Sequence, residues 1–152
     1  MQVSLSCGQN IVTIAKKSTI GLDLTDLVNN CLQGKPFVDS SIWINYRTKV
    51  NPSEPPLSIT AEIVSGQSPE GFQIFIEVRQ ARGLIAGKYG KPTGRVALSH
   101  MPHVILYDIG SSYTGSGINM GHQVFVHFEV DDFSLIEPGE TALYLQFTIN
   151  SN

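Results

Sequence analysis

The chain is poor in the residues that most often declare a chemistry. It has 2 cysteines in 152 residues, and Cys7 and Cys31 form no Cys-x-x-Cys pair. That excludes a zinc site built on thiolates. Charged residues make up 15% of the chain, with 10 Lys and Arg against 13 Asp and Glu. Such a mildly acidic balance argues against a nucleic-acid binder, and the basic stretch carries one aromatic, Tyr89, with no single-strand stacking platform. No apolar run is long enough to span a bilayer. Met1 is followed directly by Gln-Val-Ser-Leu-Ser-Cys, without the basic start, apolar stretch and cleavage site of a signal peptide. The expectation is either a cytoplasmic protein or a mature domain carrying an added start methionine, and the second is favoured.

What the chain has in quantity is β-strand pattern. Short runs suited to strands recur at residues 2–6, 10–14, 41–46, 57–64, 72–78, 95–99, 104–107, 123–130 and 142–149. Phe72, Ile74, Ile76 and Val78 share one face, as do Val124, Val126, Phe128 and Val130. The separators at 51–56, 65–71, 87–94, 110–121 and 137–139 are rich in Gly, Pro, Ser and Asn. About nine strands at this spacing predict one all-β domain over residues 1–152, an antiparallel sandwich or barrel. Residues 22–32 are ambiguous. Leu24, Leu27, Val28 and Cys31 fall at helical spacing, with Asp23 or Thr25 as a cap, so a short helix or an irregular crossing is expected.

Charge is unevenly placed. Arg79, Arg82, Lys88, Lys91 and Arg95 fall in one stretch without an acid, and no Lys or Arg follows it. Asp108, Glu129, Asp131, Asp132, Glu137 and Glu140 come later. A molecule with a basic and an acidic patch could orient subunits or attract an anionic glycan.

Catalytic constellations are weak. His100 and His103 flank Met-Pro in a turn, while His122 and His127 fall at an odd offset on one strand and so point to opposite faces. No Gly-x-Ser-x-Gly elbow is present, and Asp131-Asp132 reads as a solvated turn. The segment 87–94 is glycine-rich and basic but lacks phosphate-loop spacing, and Pro92 removes an amide donor. The chain is read as a non-enzyme, without cofactor or metal. Trp43, inside a strand, is assigned to the core. The residues best suited to a ligand are Lys88, Tyr89 and Lys91 in the basic loop, with Asp108, Tyr113 and Asn119 from the polar loop 108–119. Together they would suit an anionic or hydroxyl-rich ligand such as a sugar. Cys7 and Cys31 are either two buried thiols or one disulfide. The bridge would close a loop of about 25 residues and contribute roughly 3 kcal/mol, and it would need an oxidising compartment.

The end of the chain is its cleanest strand. After Gly139, Leu143, Leu145, Phe147 and Ile149 alternate with Tyr144, Gln146, Thr148 and Asn150. A glycine fourteenth from the terminus, followed by an alternating strand, resembles the subunits of chaperone–usher fimbriae. An early cysteine followed by a second is similar to that family too. Ser151 departs from it, since an aromatic usually stands at the penultimate position, and the cysteine spacing is shorter than the family's. The resemblance covers mainly the two ends of the chain. It implies an immunoglobulin-like sandwich lacking its last strand, with the disulfide Cys7–Cys31 formed. It further implies an extracellular fimbrial location reached through the periplasm, and a periplasmic chaperone, an usher and a neighbouring subunit as partners. Leu143, Leu145, Phe147 and Ile149 would form the pairing strand. The few residues before Cys7 suggest a tip or minor adhesin, or a subunit whose extension has been removed. Attachment would be to a host glycan or surface protein. A self-contained lectin domain of a two-domain adhesin and a viral jelly-roll coat protein are the competing expectations.

Overall fold

The computed structural model describes residues 10–15, 29–30, 32–35, 37–83, 85–137 and 142–151, with the backbone alone for 11–15. Cys7, Cys31, Gly139 and the expected strand at 2–6 lie outside these residues. Of the ambiguous segment 22–32, the described residues Asn29, Asn30 and Leu32 are helical.

The domain is all-β, with two antiparallel sheets packed face to face. The first sheet holds β1 (Ile11–Ala15), β2 (Phe37–Thr48), β4 (Phe72–Val78), β5 (Ala86–Gly87), β7 (Val96–Ala97), β9 (Ser112–Tyr113) and β10 (His122–Val130). The second holds β11 (Tyr144–Ser151), β3 (Leu57–Ser65), β8 (His103–Ile109) and β6 (Lys91–Pro92), paired in that order. Alternation drives the layering: Ile42, Ile44, Ile74, Ile76, Val124 and Val126 of the first sheet meet Leu57, Ile59, Ala61, Leu106, Phe147 and Ile149 of the second. Burial of these faces is the main source of stability.

Trp43 is 2% exposed but lies on β2 between the inward-facing Ile42 and Ile44, outside the inter-sheet cluster. Its ring is covered on the outer side of the sheet by the Arg82 guanidinium, 4.4 Å from the centroid. Arg79 over Phe125 and Arg95 over Phe75 repeat the arrangement, so this outer face buries aromatic surface under cations. Asp132 caps the 3-10 turn η1 (Phe133–Leu135) by accepting from the Ser134 N–H at 2.9 Å.

β9 and β10 run along the same side of β2. Tyr113 lies opposite Arg47 and His122 opposite Ile44, so three steps of β2 face nine residues of the other strand. The surplus leaves the sheet as a loop over 114–121. Buried Asn45 fastens both of its limbs, its amide donating to the Met120 carbonyl and its oxygen accepting the Gly117 N–H at 2.8 Å.

Candidate functional site

Residues 86–93 and 105–113 form one antiparallel ribbon that passes from one sheet to the other. Ala86 and Gly87 pair Tyr113 and Ser112 in the first sheet, and Lys91 and Pro92 pair Tyr107 and Leu106 in the second. Between them, the Lys88 N–H donates to the Ser111 carbonyl and the Gly110 N–H to the Lys88 carbonyl. The expected turn-like loops at 87–94 and 110–121 therefore contain paired backbone, as β5, β6 and β9. The bend falls at Gly90 and Asp108. A Cβ on Gly90 would sit 2.7 Å from Ile109 Cγ1, so close packing demands glycine. Asp108 has φ 60, a left-handed conformation that Asp tolerates better than most residues.

The bend collects five of the six residues that sequence reasoning singled out for a ligand. The Asp108 carboxylate accepts from the Lys88 ammonium on one oxygen and from Lys91 Nζ at 2.9 Å on the other. These hydrogen bonds hold the Asp108 carboxyl below the usual carboxylate range and push the Lys91 ammonium up. Both lysine side chains stay more than half exposed. Tyr89 lies next to Lys88, and Tyr113 lies opposite Ala86, two positions from Lys88. Tyr113 is 47% exposed. Asn119, with φ 68, sits instead in the 114–121 loop, where its carbonyl lies close to Gly83. Two members of the cluster were missed. Tyr107 pairs Lys91 across the ribbon, and Arg47, exposed, pairs Tyr113 on the other side. Both belong through strand register, which single-sequence pattern does not carry.

Beneath the bend is a buried polar network. Tyr46 Oη accepts the Gly90 N–H at 2.6 Å and lies 2.9 Å from His122 Nε2. His122 Nδ1 lies 2.8 Å from the Arg79 carbonyl. A carbonyl only accepts, so Nδ1 carries the ring proton, and neutral Nε2 accepts from the Tyr46 hydroxyl. The two rings stack with centroids 5.6 Å apart. As expected from their odd offset, His122 lies on the inner side of β10, fully buried, while His127 lies on the other, 3.3 Å from Glu77.

Burial lowers the His122 pKa and raises that of Tyr46 from 10.0 to about 12. The unfolded chain therefore takes up the histidine proton first, so this contribution is complete above about pH 6.5 and is lost as pH falls through the lowered folded value. For Tyr46 the sign reverses. Its contribution, about 3 kcal/mol at ~1.4 kcal/mol per tenfold shift, is complete below pH 10 and lost as pH rises through about 12. Urea midpoints measured from pH 4 to 11.5 should fall at both ends, and His122→Gln should flatten the acid side. An acid side unchanged in that variant would assign the acid loss to other groups.

The other feature is the edge of the second sheet. β11 pairs β3 from Tyr144 opposite Ser65 to Ser151 opposite Leu57. Phe147 and Ile149 are buried, and Leu143 and Leu145 pack partly buried on the same core. Tyr144, Gln146, Thr148 and Asn150 face outward, and the Asn150 amide donates to Thr60 Oγ1 at 3.1 Å. Among the described residues β11 has no second strand partner, and β1 of the other sheet lies close to it. Comparison with family models, curated proteins and solved structures found no match.

Proposed function

We propose that this chain is a subunit of a chaperone–usher fimbrium, a tip or minor adhesin, assembled by strand pairing at β11 and attaching through the ribbon bend. The observation that carries the reading is β11 itself: a sheet edge whose inner face sets Phe147 and Ile149 in the core and packs Leu143 and Leu145 against it, while its outer ladder lacks a partner among the described residues. A free edge of this kind is a template for an added strand, with backbone bonds giving affinity and alternate side chains giving register. In this reading the sandwich is immunoglobulin-like and incomplete. A periplasmic chaperone lends the strand first, and a neighbouring subunit supplies the permanent one after the usher. Cys7 and Cys31 are bridged in the oxidising periplasm, and the product is extracellular. The bend adds a second, separate surface for a host glycan or surface protein.

The test is thermal unfolding with and without synthetic extended peptides of alternating apolar residues. A peptide bound at 100 times its Kd stabilises by about 2.7 kcal/mol, and the melting temperature should rise by about 5–10 °C. A scrambled peptide should leave it unchanged. A chain that melts cooperatively and ignores every such peptide overturns the reading and favours a self-contained lectin or coat domain.

A further inference from the structure

The proposed attachment surface has a chemistry narrower than "glycan or protein". Three exposed cations lie on the ribbon or on the strand beside it, Lys88 and Lys91 meeting at Asp108 and Arg47 opposite Tyr113, a surplus of two positive charges among these four groups. The Asp108 pairs are solvent-exposed, and ion pairs of that kind are weak, so an incoming anion competes for the same ammonium groups. Arg47 forms no ion pair with a described residue. Tyr113 stands between Arg47 and Ala86 on three neighbouring strands, so the backbones of Arg47 and Ala86 lie about 10 Å apart at ~4.8 Å per strand, and Lys88 and Lys91 follow further along the ribbon, held together by Asp108. Tyr107 lies across from Lys91, 43% exposed. The backbone below is fixed, because the Gly90 N–H is tied to buried Tyr46 and the Lys88 backbone is bonded to Ser111 and Gly110.

We propose that this end of the ribbon is a recognition site for an acidic saccharide, a sugar unit bearing a carboxylate or a sulfate ester. Arg47 meets the anionic group with its planar donor fork. Lys88 and Lys91 add charge, and the exposed ring of Tyr113 stacks on the apolar face of the sugar. An anion without a ring would use only the cations, and a neutral sugar would use only the tyrosine and leave the charge surplus unmet. The inference rests on the attachment half of the proposed function and is independent of strand pairing at β11.

The experiment is titration calorimetry of the full chain with four probes at fixed ionic strength: a sulfated galactan octasaccharide, which bears sulfate esters and no carboxylate, an oligogalacturonate, the same oligomer carboxyl-reduced to its neutral form, and inorganic polyphosphate. At least one acidic saccharide should bind, and whichever of the two binds tighter identifies sulfate or carboxylate as the preferred group. The neutral oligomer should bind at least tenfold weaker. Arg47→Ala and Lys91→Ala should each weaken binding about fivefold or more. Tyr113→Ala, which changes no charge, should weaken the saccharide about tenfold and leave polyphosphate unaffected. Failure of both acidic saccharides, equal binding of the neutral oligomer, or a Tyr113→Ala variant that binds saccharide normally overturns the proposal. Unchanged melting curves of the variants exclude misfolding as the cause. The response to β11 peptides is measured on the same samples, so loss of the ligand site and loss of the assembly reading are told apart.

Discussion

Replacing Phe147 with alanine should lower the melting temperature by about 10 °C or more. Phe147 is 1% exposed and sits on the inner face of β11 opposite Ala61. Removing a buried phenyl ring costs about 3–5 kcal/mol from lost transfer and the cavity left behind, and each kcal/mol is worth roughly 2–4 °C in a domain of this size. The small partner Ala61 cannot extend to fill the space, which places the effect toward the upper part of that range. Tyr144→Ala, on the same strand but 55% exposed, should move stability by no more than about 0.5 kcal/mol. Melting followed by far-UV circular dichroism checks both. Equal effects would mean that β11 is not seated in the core. An alternating peptide in large excess should not restore the Phe147→Ala loss, because an added strand pairs the edge and leaves the cavity in place.

Tyr46→Phe is expected to have the second-largest effect. The change keeps the ring and deletes one oxygen, yet it strips a partner from two groups. The Gly90 N–H loses its acceptor and His122 Nε2 loses its donor, both in the interior. An orphaned buried polar group costs about 1–3 kcal/mol, so two of them cost about 2–6 kcal/mol. Tyr107→Phe and Tyr113→Phe, whose rings are exposed, serve as controls expected to stay near zero. A local readout separates this from general loosening: hydrogen exchange of the Gly90 amide should accelerate more than that of the β10 amides. Equal acceleration throughout, or an unchanged melting temperature, would mean that the oxygen does not tie the bend to the core.

Much of the fold was legible because burial on one face writes a period of two into the strand. β4 was read to the residue, and β3, β10 and β11 within two residues at either end. β2 runs four residues earlier than expected because its first part is separated by a bulge, which shifts the register between Val124 and Val126 and breaks the alternation. β5, β6 and β9 were hidden. They are two residues each, sit among glycines and carry no apolar period, since the ribbon is held by backbone pairing across the seam. The proposed ligand cluster is half legible for the same reason. Lys88, Tyr89 and Lys91 are neighbours in the chain, and Asp108 and Tyr113 were picked by composition, but Arg47 joins them only across a strand pair. Asn119 was drawn in by its place in a polar loop, and register sends that loop elsewhere. Trp43 was read correctly as buried, but its cover is an arginine outside the sheet.

The loop over 114–121 has a consequence for how this molecule can change. Because the chain leaves the ladder opposite Tyr46 and rejoins it opposite Ile44, the length of the excursion does not set the alignment of anything after it. Asn45 acts as a stitch that closes the seam at its base. Closing a longer excursion adds only about 0.6 kcal/mol per doubling. The tip, where Ile118 is 57% exposed, is thus free to lengthen, shorten or be rewritten while the sheet keeps its pattern. It is a natural port for diversification, beginning next to Tyr113, and for an engineered peptide graft.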